Sequence, residues 1–94
     1  MAGWAVQVTG NGTGDPMTFG VTVREGGGET RHQVTLKRAT YDRLAGGVQP
    51  QRFVEAAFGF LLEREPKEAI LGRFDVDVIS RYFPEFPRAI GDYL

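Results

Sequence analysis

The sequence predicts an α+β fold: a three-stranded antiparallel N-terminal sheet followed by three to four helices, with a long central helix over about 50–65. Three observations carry that prediction. Apolar residues alternate with period two at Trp4, Val6 and Val8, again at Phe19, Val21 and Val23, and again at Val34 and Leu36, the pattern of strands that bury one face. From Thr40 onward the apolar spacing is helical. Eight of the thirteen glycines lie within the first 28 residues, so turns crowd the strand-rich part.

The first strand is expected over 4–9. Residues 10–16 are all turn formers, and Pro16 has no N–H to give to a ladder, so they form a loop. Alternation resumes over 19–24, and 25–29, rich in glycine, reads as a flexible connector. The third strand is expected over 32–37, with Val34 and Leu36 inward and Gln33, Thr35 and Lys37 outward.

Thr40 suits the N-cap of a short helix over 41–45, stopped by Gly46 and Gly47. Pro50 opens the central helix after Gln49 as cap, with Val48 and Phe53 placed as a hydrophobic staple. Pro66 disfavours helix in the residue before it, which sets the end near Glu65. A further turn is expected over 66–71, closed by Gly72, and a helix over 76–83 capped by Asp75 and ended by Pro84. The remaining residues, 85–94, are aromatic and broken by proline, with room for one more helical turn.

At 100° per residue the central helix spreads Phe53, Val54, Ala56, Ala57, Phe58, Phe60, Leu61 and Leu62 over an arc of about 240°, wider than one packed side requires. Either the rest of the chain wraps it or a second subunit covers it. Phe53, Ala57, Phe58, Phe60 and Leu61 are therefore candidates for a self-association seam or for a central core.

Ninety-four residues support one domain, strand-rich over 1–37 and helical over 38–94. Absence of cysteine excludes a disulfide framework, a thiolate nucleophile and a cysteine-based zinc site. Residues 1–4 carry neither a basic nor an apolar leader region, and no apolar run approaches the ~20 residues of a membrane span, so a cytoplasmic, membrane-free protein is expected. A net charge of −1 argues against bulk attraction to nucleic acid. The charge is uneven, since Arg31, Lys37, Arg38 and Arg43 face only Asp42.

No cofactor or metal site is expected. The Gly10–Gly14 loop lacks the following helix that phosphate-cradling loops use. Asp75 and Asp77 are accounted for as a helix cap and a first-turn acid. His32, the single histidine, reads as a solvated strand residue with no nucleophile marked beside it. The charged run 63–68 reads as a solvated helix junction. In 83–87, Phe83 and Phe86 stand beside prolines, either as a docking tail or, as the favoured reading, folded back to seal the core.

Residues 32–65, a strand with polar outward side chains followed by two helices, resemble ribbon-helix-helix repressors. That resemblance implies a dimer whose paired strands enter the major groove, with Gln33, Thr35 and Lys37 as base readers beside Arg38, and the second helix as dimer seam. The segment 61–85, with Leu62-Glu63-Arg64-Glu65-Pro66, then Phe74-Asp75 through Ile79, and Arg81-Tyr82-Phe83-Pro84-Glu85, resembles the C-terminal signature of a group of short uncharacterised bacterial proteins. No functional residue follows from it. The sequence therefore favours a small non-enzymatic interaction or regulatory module acting on a protein partner or on itself. The alternative is a DNA-reading dimer.

Overall fold

The computed structural model describes residues 3–94; the expectation about a leader falls partly on residues 1–2, which lie outside the described residues. The fold is α+β, with a four-stranded mixed sheet in the order β1 (Trp4–Thr9), β2 (Met17–Glu25), β3 (Gly28–Leu36) and β4 (Arg73–Asp75). The helices are α1 (Arg38–Leu44), α2 (Pro50–Leu62), α3 (Asp77–Tyr82) and α4 (Phe86–Ala89). Lys67–Ala69 and Ile90–Tyr93 form 3₁₀ turns.

β1, β2 and β3 form the expected antiparallel meander, but the sheet does not stop at three strands. β4 adds to β3 in parallel, with Val34 opposite Phe74. The segment expected to be a helix cap is thus partly strand. Gln33 N–H donates to Gly72 C=O at 2.8 Å and Val76 N–H to Thr35 C=O at 2.9 Å. Three residues are too few to show a period, and their partner lies about forty positions earlier.

The connector expected to be flexible is a tight two-residue turn. Gly26 and Gly27 have φ of +59° and +83°, the left-handed pair that a twisted hairpin demands and that glycine adopts without a Cβ clash. β2 and β3 then pair without a break from Glu25–Gly28 to Met17–Leu36.

One sheet face carries Met17, Phe19, Val21, Val23, Val34, Leu36 and Phe74, all buried, and α2 lies against it. α2 starts at Pro50 behind Gln49, as expected, but ends at Leu62 instead of Glu65. Arg64 and Glu65 N–H both turn back to the Leu61 carbonyl, which brings the chain out of the helix ahead of Pro66. Around α2, Phe53 meets Tyr41 of α1 at 6.3 Å and Phe58 meets Phe74 at 5.9 Å. Phe60 meets Phe83, Phe86 and Tyr93 edge-on at 5.9, 5.0 and 5.7 Å. Phe53, Ala57, Phe58, Phe60 and Leu61 are all buried within the single chain. The wide apolar arc is wrapped by the sheet, α1 and the C-terminal turns.

Three local expectations change. α1 begins at Arg38, so Thr40 lies inside it, buried, where its hydroxyl donates to Asp77 Oδ1 at 2.8 Å. Asp75 sits in β4 yet still accepts the Asp77 N–H at 3.0 Å, close to the expected capping role, and takes the Thr35 hydroxyl at 2.7 Å on its other oxygen. Lys67, in the junction expected to be solvated, is 6% exposed. Its stem lies over the hairpin, with Nζ 3.2 Å from where a Cβ on Gly28 would stand, and its ammonium pairs with Glu68 at 2.6 Å. Among the described residues no helix is long and apolar enough to cross a membrane.

Candidate functional site

Two large apolar side chains remain exposed among the described residues, Leu71 at 49% and Tyr82 at 68%. Both line one cleft of about 180 Å³, together with Leu61 from the end of α2, Glu65 just beyond it, Ile70 before β4, and Phe83 after α3. Local sequence places each wall. Beyond the end of α2 the chain passes Pro66 and the 3₁₀ turn to reach Ile70, which is buried, and Leu71, which is not. On α3, Ile79 faces the core, while Val78 and Tyr82, four residues apart on one side of the helix, border the opening.

Glu65 is the one charged residue of this lining. Burial raises its carboxyl above the ordinary glutamate range, with no cation or donor opposing that effect. A partly desolvated carboxylate beside apolar walls favours a ligand that brings a donor or a positive charge. Neighbouring Glu68 differs: the Lys67 ammonium holds its carboxyl below the usual range.

The residues expected to read DNA are turned to other uses. Gln33 accepts from Arg73 at 3.3 Å, Thr35 donates to Asp75, and Lys37 pairs with Asp77 at 3.2 Å. Arg38 binds the Gly12 and Gly14 carbonyls and, through its backbone N–H, Asp15. An intersubunit ribbon needs a free strand edge, and β3 is bonded on both sides by β2 and β4. Of the expected docking tail, Phe86 is fully buried against Phe60, which corrects that reading for Phe86 in favour of the seal. Phe83 is half-buried and lines the cleft, as does Leu61 of the expected seam.

His32 is buried rather than solvated. It shares the inward parity of Val34 and Leu36, and its ring lies 5.3 Å from that of Phe58. Nδ1 stands 2.7 Å from Leu71 C=O and Nε2 2.9 Å from the Thr30 hydroxyl. One neutral tautomer satisfies both, Nδ1–H donating to the carbonyl and Nε2 accepting from Thr30. Both nitrogens are therefore held by structural bonds, and the ring anchors the segment that carries Leu71. Among the described residues no three His, Asp or Glu side chains are grouped to hold a metal.

No family model matches the chain, and no curated protein or solved structure does. The reading of function therefore stands on the cleft itself. The sequence did not mark these residues as a site: Tyr82 falls within the helix expected over 76–83, Leu71 within the turn expected over 66–71, and Glu65 was read as a helix end in a solvated run. The available hint was Glu65 beside Pro66, a charge set at the break between two apolar elements.

Proposed function

We propose that this protein is a non-enzymatic interaction module whose cleft receives a short segment of a partner protein, an apolar side chain beside a lysine or arginine. The observation that supports it is the convergence on one cleft of Leu71 and Tyr82, the large apolar side chains left exposed among the described residues. Covering one such side chain is worth about 1.5–3 kcal/mol, so leaving these two exposed forgoes stabilisation that a bound segment would supply. Glu65 supports the cationic half of the ligand, since an ammonium or guanidinium would restore the stabilisation its carboxyl loses by burial. The size of the cleft suits one or two side chains rather than a whole helix face.

A photoreactive phenylalanine analogue in place of Tyr82 tests this in cells. The expected result is one crosslinked protein, joined through a segment with an apolar and a basic residue, and lost on Leu71→Asp while circular dichroism stays unchanged. Crosslinking no greater than from the same analogue at exposed Arg52 would overturn the reading.

A further inference from the structure

We infer that the free edge of β1 pairs with β1 of a second copy of this chain, joining two sheets into one through a two-fold axis at Val6. This surface is separate from the cleft and does not depend on it.

The direction of the backbone groups follows from the register. Gln33 N–H and Thr35 C=O point to β4, so the groups of their neighbours His32 and Val34 point to β2. The bonded partners on β2 are then Val21 and Phe19, and its intervening residues Gly20, Thr22 and Arg24 turn toward β1, opposite Thr9, Gln7 and Ala5. That leaves the N–H and C=O groups of Trp4, Val6 and Val8 directed away from the sheet. Among the described residues none of them bonds to any group elsewhere in the fold.

The side chains of the same three residues face the core side, where they are only half-buried while their counterparts on β2 and β3 are buried. Edge strands are ordinarily blunted by charge, proline, a bulge or brevity. β4 is blunted by its length of three residues. β1 has six residues in unbroken register, with no charged side chain and no proline.

A strand of this kind is complementary to itself. With Val6 opposite the partner subunit's Val6, Trp4 falls opposite the partner subunit's Val8, and every outward backbone group of the three finds a bonded mate. Opposite residues share a sheet face, so Trp4, Val6 and Val8 of the two chains form one continuous apolar row. Self-association thus shifts from α2, which its own chain covers, to an edge that no other strand pairs with among the described residues. On the outer face this register sets exposed Ala5 opposite the partner subunit's Gln7, a non-bonded pair in which side chains come closest.

That pair supplies the test. Sedimentation equilibrium should show a dimer for the wild type. The double variant Ala5→Lys/Gln7→Lys, whose like charges would meet across the axis, should weaken it at least about tenfold. Both positions are exposed, and circular dichroism should report an unchanged fold. Mixing that variant with Ala5→Glu/Gln7→Glu should restore a heterodimer. A wild type that stays monomeric to millimolar concentration, a lysine variant that dimerises as before, or a mixture that stays monomeric would each overturn the inference.

Discussion

The His32 ring nitrogen Nδ1 lies 2.7 Å from the carbonyl oxygen of Leu71, a bond between a buried strand and the exposed lip of the cleft. The imidazole links the core to the cleft, since its other faces meet Phe58 and Thr30. His32→Ala should cost about 2–4 kcal/mol of unfolding free energy in urea, from lost packing and an abandoned carbonyl. Nitrogen NMR of the wild type at neutral pH should report the Nδ1–H tautomer. The opposite tautomer would remove the assigned donor to Leu71.

Asp77 joins α3 to α1. Burial pushes its carboxyl up, but the Thr40 hydroxyl and Lys37, with Arg43 further off, outweigh burial and hold it below the usual aspartate range. A depressed folded value means its stabilisation is present above the unfolded pKa and is lost as pH falls through the folded one. Thr40→Val should cost about 1–2 kcal/mol at pH 7. The stability gap between wild type and Asp77→Asn should close below about pH 4, as thermal melts across pH would show.

Glu65 has the opposite sign. The folded protein holds this proton to higher pH than the unfolded chain does, so stability declines as pH rises through that window. Glu65→Gln should therefore be slightly more stable than wild type at pH 7, by up to about 0.5 kcal/mol, and equal to it near pH 3. Binding of a cationic partner segment should weaken about tenfold in the same variant. A variant that gains stability and keeps its partner would detach the carboxylate from binding.

Phe86 and Tyr82 make a contrasting pair. Phe86→Ala should cost about 3–5 kcal/mol, because the side chain is fully buried edge-on to Phe60. For a domain this small that is a large share of the total, and urea titrations should show a low midpoint. Tyr82→Ala, at a position 68% exposed, should change stability by less than about 0.5 kcal/mol while weakening partner binding.

The sequence by itself determined the elements that local pattern controls. Alternation located β1, β2 and β3, since side chains of a strand point to opposite faces in turn. The start of α2 at Pro50 was legible because a proline and an apolar period mark it within a few residues. Even His32 was within reach, as its parity with Val34 and Leu36 places it inward.

Tertiary structure alone decided what depends on residues far apart in the chain. β4 exists because Phe74 finds Val34, not because three residues favour a strand. α2 has no exposed seam because α1, the sheet and the tail close around it, and composition cannot say which chain supplies the cover. Lys67 is buried because Gly28, the first residue of β3, has no Cβ and leaves room for the end of its side chain. The cleft arises in the same way: Leu71 and Tyr82 are ordinary apolar residues in sequence, and only the packing of the chain after α2 against α3 sets them on one opening.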